Sequence, residues 1–294
     1  MIHTIETNNL VVEVSEKGAE LQSIRSKKDG TEYLWQGTHP YWPGRAPILF
    51  PIVCSIKNSR YTYAGTTYEM PQHGFARHSI FELAERTPYS LKFELTSSAA
   101  TKKSYPFDFK LLVEYILNGD SLAINYKVEN KGNSAMLFNI GAHEAYNCPV
   151  FKDETFEDYY LEFEPLDGKL TATSITEKGL LTNSHYEIEA ENNCLNLDYE
   201  LIRKNGTLIF ENINSKKITI KSNKSDTCIE VAYDAPHVGV WTQHENGRPP
   251  FVCIEPWHGL PDEDTSTGVL EDKKGILRLE AGAAQLFSHT ITVH

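Results

Sequence analysis

Two stretches of the chain carry residue types that could move protons, and they lie far apart in sequence. The first is Phe251-Val-Cys-Ile-Glu-Pro-Trp-His-Gly-Leu-Pro-Asp262. It begins as a strand, with Val252 and Ile254 on one face and Phe251, Cys253 and Glu255 on the other. Pro256 has no backbone donor, so the strand is predicted to end directly after Glu255. A carboxylate at such a lip is solvated enough to ionise and close enough to apolar wall to be tuned, which suits a general base. The second stretch is Met136-Leu-Phe-Asn-Ile-Gly-Ala-His-Glu-Ala-Tyr-Asn147. Met136, Phe138, Ile140 and Ala142 fall on one face and are expected to enter the core. Leu137, Asn139, Gly141 and His143 fall on the other, where Gly141 leaves room for a ligand or another backbone. His143 can protonate an oxygen near neutral pH, which Asp, Glu and Lys do only when strongly perturbed. It is the complementary acid.

Metal binding fits these residues less well. His143-Glu144 opens like H-E-x-x-H, but Asn147 stands where the second histidine belongs; His244-Glu245 likewise meets Arg248. Two further clusters carry hydrogen-bond donors toward a pocket. Trp42-Pro-Gly-Arg-Ala-Pro-Ile-Leu-Phe-Pro51 places Arg45 before an apolar run read as a strand. Pro71-Gln-His-Gly-Phe-Ala-Arg77 presents Gln72, His73 and Arg77 around a glycine. Such donors suit hydroxyl-rich or anionic ligands.

The elements that must position these residues are short alternating runs broken by turn signals. Leu10–Val14 and Leu21–Arg25 read as strands, and Tyr61–Tyr63 and Thr66–Glu69 flank Ala64-Gly65 as a ribbon. Phe109–Leu117 and Leu122–Val128 around Asn118-Gly119-Asp120 form the clearest hairpin. Later strands are expected at Tyr159–Phe163, Leu208–Phe210, Ile218–Lys221, Ile229–Tyr233, Val238–Trp241, Ile276–Leu279 and Leu286–Val293. Helical periodicity is scarce, with at most two turns in Leu195–Arg203. So many strands without crossover helices predict an all-β fold, a large antiparallel β-sandwich forming a single domain over residues 1–294.

Composition narrows the function. The net charge of -12 argues against a general nucleic-acid surface, which needs a basic face. Five scattered cysteines without a C-x-x-C pair suit free thiols in a reducing compartment. The start of the chain has neither a basic segment nor an apolar h-region, and no apolar run approaches membrane-spanning length. A cytoplasmic protein without membrane partners is expected; the sequence is silent on oligomeric state.

Taken together, these strings resemble the aldose 1-epimerase (galactose mutarotase-like) family, most closely its LacX-like branch. The match is carried by Gly44-Arg45-Ala-Pro-Ile-Leu-Phe-Pro, Gln72-His-Gly-Phe-Ala-Arg77, Tyr105-Pro-Phe-Asp-Phe, Gly141-Ala-His143 with Tyr146-Asn147, Gly239-Val-Trp241-Thr and Cys253-Ile-Glu-Pro-Trp, in the expected order. The resemblance implies a large β-sandwich, His143 as general acid and Glu255 as general base, with Arg45 and His73 contacting a sugar. Gln72, Arg77 and Trp257 complete the expected substrate contacts, Trp257 offering a ring face to the sugar's C–H edge. In one place the chain departs from the pattern: the branch often has an acidic residue where Lys204-Asn-Gly-Thr-Leu-Ile-Phe210 has Gly206, and Asp234 is the nearby candidate to replace it.

The implied reaction interconverts α and β anomers of a hexose. The C1 hydroxyl loses a proton, the ring oxygen gains one, the ring opens, and closure presents the other aldehyde face. One acid and one base suffice, with no metal, nucleotide or other cofactor. The Gln-His-Gly-Phe-Ala-Arg string is shared with hexose-6-phosphate 1-epimerases, which keeps a phosphorylated sugar as the alternative substrate. A noncatalytic sugar-binding module is a second alternative. A glycoside hydrolase is a third, with Glu144 or Asp262 as the second carboxylate.

Overall fold

The computed structural model describes residues 1–166, 169–243 and 247–294, and its architecture is two antiparallel sheets packed face to face. The larger has nine strands. It runs from Cys194–Asn196 through Tyr159–Glu164, Lys217–Ser222, Cys228–Tyr233, Ala284–Val293, Ser121–Asn130, Phe109–Asn118 and Ser90–Thr96 to Glu82–Arg86. The smaller has seven. Ile140–Gly141 and Glu144–Asn147 both pair with Phe251–His258, followed by His237–Trp241, Leu208–Phe210, Leu170–Ile175 and Leu181–Ile188. The expected all-β sandwich is what forms. A three-stranded sheet (Ile2–Glu6, Leu10–Ser15, Leu21–Ser26) and the ribbon Arg60–Tyr63/Thr66–Glu69 complete the strands read from the N-terminal part.

The period-two pattern explains which face is buried. Along Phe109–Asn118 and Ser121–Asn130 buried and part-exposed residues alternate, so Leu111, Val113, Ile124 and Val128 enter the core. The two sheets meet through such inward residues; Phe163 of the larger packs edge-on against Phe210 of the smaller, ring centres 5.6 Å apart. Gly119 supplies the positive φ (59°) that closes the Phe109–Asn130 hairpin.

Several local expectations change. The strand beginning at Phe251 does not stop at Pro256 but runs to His258. The missing donor of Pro256 falls at a break in the neighbouring strand, between Gly141 and Glu144, and its carbonyl accepts the Ala142 N–H at 3.0 Å. The Met136–Asn147 stretch is not one strand but three pieces, the first of which, Met136–Phe138, pairs with Leu277–Leu279 in a separate sheet. Asn139 is buried and donates to the carbonyls of Phe138 and Gly275, so it is a structural residue. The apolar run after Arg45 is extended and buried but forms only isolated bridges, such as Leu49 with Gly141. Within Leu195–Arg203 a strand and a helix share the space: Tyr199–Asn205 is the α-helix, capped by the Asp198 carboxylate on Glu200 N–H and ended by Gly206 at φ 71°. Among the described residues no helix is long and apolar enough to cross a membrane.

Candidate active site

The gap in the strand beside Phe251–His258 is where the chemistry collects. Pairing on both sides of the gap keeps one register, Gly141 with Trp257 and Glu144 with Ile254, so His143 stands directly across from Glu255. Cross-strand partners on one face have side chains in reach of each other. The imidazole Nε2 lies 3.3 Å from Glu255 Oε2.

Glu255 is not at a solvated lip, as its sequence context implied. It is 1% exposed, with strands on both sides. Burial pushes its carboxyl well above the ordinary carboxylate range, the Glu144 charge adds to this, and the Trp257 indole pulls the other way. His143 is buried too, and burial together with the Arg77 cation pushes it down to about 3. Trp42 stacks on the imidazole (4.9 Å, 23°) while Trp241 and His73 meet it edge-on at 5.6 and 5.3 Å.

Trp257 forms a floor. A side chain on Gly141 would come within 2.7 Å of the indole Cδ1, and one on Gly239 within 2.7 Å of its far ring. The indole therefore lies across the sheet between two strands that carry glycine where it passes. Gly141 makes room for this ring and for Val53, rather than for a ligand.

His73 is set by its backbone. It sits at φ 64°, its N–H donates to the Cys54 carbonyl at 2.8 Å, and its Nδ1 accepts the Cys54 N–H at 3.2 Å. With Nδ1 accepting, the ring proton is on Nε2, making that edge a donor. Burial, then His143 and Arg77, hold His73 well below the usual histidine range, so it stays neutral. Arg77 follows on the 3-10 turn Ala76–His78 and is half-buried, which lowers its pKa against the opposing pull of Glu20. Among the described residues no carboxylate forms an ion pair with it.

A cavity of about 300 Å³ is lined by Trp42, Cys54, Gln72, His73, Arg77, His143, Thr207, Trp241, Glu255 and Trp257. Six of the seven site residues expected from sequence thus share one space. Arg45 does not join them: its guanidinium donates to Gln22 O at 2.7 Å and Gln36 Oε1 at 3.0 Å, clamping the strand Leu21–Ser26. Asp234 does not replace the missing acid near Gly206 either. It accepts from His258 at 2.9 Å, away from the cavity lining. The sequence reading missed Trp42, Trp241, Cys54 and Thr207. Trp42, Trp241 and Thr207 stand inside strings already singled out, and an aromatic beside a candidate sugar contact was the usable signal. The two alternative carboxylates lie elsewhere: Glu144 pairs with His289 at 3.1 Å, and Asp262 with Lys273 at 3.1 Å. His244-Glu245 lies outside the described residues. The one buried group with metal-ligand potential is His143, Cys253 and Glu255, whose ligand atoms lie within 4.8 Å of one another, among the described residues.

The sandwich brings His143 and Glu255 together over the Trp257 indole, and its family is one of carbohydrate isomerases of the epimerase class. The chain belongs to the aldose 1-epimerase family, whose profile matches residues 1–268. Protein LacX (chromosomal) of Lactococcus lactis subsp. lactis is 35% identical over 300 residues, spanning 99% of both chains. The structure of a galactose mutarotase related enzyme from Lactobacillus acidophilus superposes with a TM-score of 0.94 at 35% identity, covering 100% of this chain and 97% of that one. A galactose mutarotase-like protein from Lactobacillus casei gives 0.94 at 33% identity, with both chains fully covered.

Proposed function

We propose that the protein interconverts the α and β anomers of a free aldohexose, with Glu255 as general base and His143 as general acid. The observation that carries the reading is the 3.3 Å approach of His143 to Glu255 inside a cavity walled by indole rings. In this reading Glu255 takes the proton of the C1 hydroxyl while His143 gives one to the ring oxygen. The C1–O5 bond breaks, the C1–C2 bond turns, and the reverse transfers close the ring on the other face. Ring opening moves the pair from carboxylate and imidazolium to carboxylic acid and neutral imidazole. Burial favours that neutral pair, as the raised Glu255 and depressed His143 indicate, so the ionised pair that opens the ring is the minor form and its formation is part of the barrier. His73 Nε2–H, Gln72 and Arg77 are read as hydroxyl donors; Trp257 is fully buried and is read as the floor beneath the cavity rather than an open face for the sugar. Arg45, bonded to Gln22 and Gln36 outside the cavity lining, is left out of this reading. The reading treats residues 1–294 as one domain, supported by a hydrophobic cluster that extends from Ile5 to Val293.

A phosphorylated hexose is favoured by one feature, the half-buried Arg77 without an ion-pair partner among the described residues. An arginine fork gains two charge-assisted bonds from phosphate but one from a hydroxyl. Polarimetry on freshly dissolved α-glucose and α-galactose and their 6-phosphates, with wild type and Arg77→Ala, separates the two. The free-sugar reading expects rapid equilibration of an unphosphorylated hexose and a modest effect of Arg77→Ala. A wild-type preference for a 6-phosphate that Arg77→Ala abolishes would overturn it. Hydrolysis is disfavoured because the second carboxylates offered for it, Glu144 and Asp262, do not line the cavity. Sugar binding without accelerated equilibration would leave a binding module.

A further inference from the structure

Cys253 is two residues from Glu255 on the same strand face, and His143 lies across from Glu255. Proton transfer to a sugar gives the thiol no task, and Cys253 is absent from the cavity lining, packed instead with Trp35, Ala145 and Phe251. Yet the three ligand atoms lie within 4.8 Å of one another, all in buried residues. We propose that His143, Cys253 and Glu255 form a three-ligand site for a borderline-soft divalent cation of the Zn²⁺ type, and that its occupation switches the acid–base pair off. This uses the cavity assigned above, but the binding claim stands whatever sugar the cavity takes.

The geometry favours this cation class. Metal–nitrogen and metal–oxygen bonds of about 2.0–2.1 Å at a tetrahedral angle separate the two ligand atoms by roughly 3.3 Å. His143 Nε2 and Glu255 Oε2 are already 3.3 Å apart. The thiol must draw in by about 1 Å to complete the face, within reach of a small side-chain rotation. One nitrogen, one sulfur and one oxygen select Zn²⁺ or Co²⁺ over Mg²⁺ and Ca²⁺, which want oxygen alone. His143 and Glu255 both line the cavity, so a water or anion completing a three-ligand zinc site would come from that side.

The charges balance. Binding releases the protons of Cys253 and Glu255, and two anionic ligands then neutralise a dication. Arg77, at the same cavity, opposes the cation and favours an anion such as chloride or hydroxide in the fourth position. Two features cap the affinity. His143 Nδ1 has no hydrogen-bond partner, whereas an oriented metal-bound histidine usually has one, a deficit of about 10–100-fold. The cation must also outcompete the protons that burial holds on both Glu255 and Cys253.

The test titrates chelator-treated protein with Co²⁺ alone and then displaces it with Zn²⁺. The expected result is one equivalent of Co²⁺ with a sulfur-to-cobalt charge-transfer band. Cys253→Ser should lose the band and weaken Zn²⁺ binding by more than about 100-fold, beyond the loss of a mere supporting contact. Cys253→Ala provides the same comparison should the serine variant fail to fold. Stoichiometric Zn²⁺ should stop anomerisation by wild type, reversibly with chelator, and leave Cys253→Ser running at the wild-type metal-free rate. A bound Co²⁺ without the sulfur band, or equal Zn²⁺ affinity in wild type and Cys253→Ser, overturns the proposal. So does a sulfur band that persists in both His143→Asn and Glu255→Gln, which would place the cation on another thiol. A chain that binds Co²⁺ with the band but equilibrates none of the four sugars supports the site and rejects the anomerase reading instead.

Discussion

His143 and Glu144 are consecutive, and each belongs to a buried histidine–glutamate pair, on opposite faces of one sheet. His143 meets Glu255 at 3.3 Å; Glu144 meets His289 at 3.1 Å. The second pair joins the two sheets of the sandwich, since His289 belongs to Ala284–Val293 of the nine-stranded sheet. Its imidazole stacks on Tyr126, with ring centres 5.8 Å apart. The first pair opens on a cavity that also holds an arginine, a tautomer-locked histidine and three indoles. By residue type the two pairs are alike. What separates them is access: one lines a cavity, while the other is enclosed between the two sheets.

That contrast can be broken from either side. The largest effect is expected from His289→Ala, which leaves Glu144 buried without its partner. A loss of about 3–5 kcal/mol in folding free energy is expected from denaturant titration, with kcat/KM of the folded variant within a few-fold of wild type. A large loss of turnover at intact stability would erase the distinction between the pairs. Glu255→Gln and His143→Asn should do the reverse, lowering the anomerisation rate by roughly 10²-fold or more in a protein that melts no lower than wild type.

Proton linkage gives the contrast a pH signature. Glu255 in the folded state has a raised pKa, so the stability it contributes is complete below about pH 4.5 and is lost as pH rises toward its folded value. Glu255→Gln should therefore gain in folding free energy relative to wild type as pH goes from 5 to 8, by at most about 1.4 kcal/mol per pH unit, read by denaturant titration. A constant difference across that range would mean the carboxyl is not held protonated. For His143 the sign is opposite. Its folded pKa of about 3 means that stability is lost as pH falls from about 6.5 toward 3. The same shift keeps the pair at one shared proton well below neutrality. The acid limb of kcat/KM should consequently fall below pH 5, where an ordinary histidine would place it near 6.5. The smallest effect belongs to His73→Gln, which exchanges one donor for another. A rise in KM worth about 1 kcal/mol or less, with kcat nearly unchanged, is expected from steady-state polarimetry.

The sandwich was legible because alternation is local. Phe109–Asn118 and Ser121–Asn130 match their expected hairpin to within a residue or two, and Leu208–Phe210 matches outright. The candidate acid and base were legible because His143 and Glu255 stand on non-core faces. Their environment was not. Pro256 reads as a terminator when its strand is taken alone, but a proline is tolerated where the neighbouring strand is itself interrupted, and only the register reveals that. The same gap explains why Glu255 is buried rather than solvated. Arg45 misled because a guanidinium near a pocket string can turn either way, and here the carbonyl of Gln22 and the amide of Gln36 claim it. The Glu144–His289 pair was out of reach, since its members come from different sheets and His289 lies in no recognisable string.

The tryptophans of this chain have an optical consequence. There are four in 294 residues, and three of them, Trp42, Trp241 and Trp257, line the cavity. The fourth, Trp35, donates its indole N–H to the Trp42 carbonyl and stacks on Phe251. Light emitted by the protein's indoles therefore originates at or beside the site. A sugar entering the cavity should change that emission directly, giving a label-free binding curve for any candidate ligand, turned over or not. The nine-stranded sheet contains no tryptophan among its strands, so loosening there stays dark until it reaches the cavity.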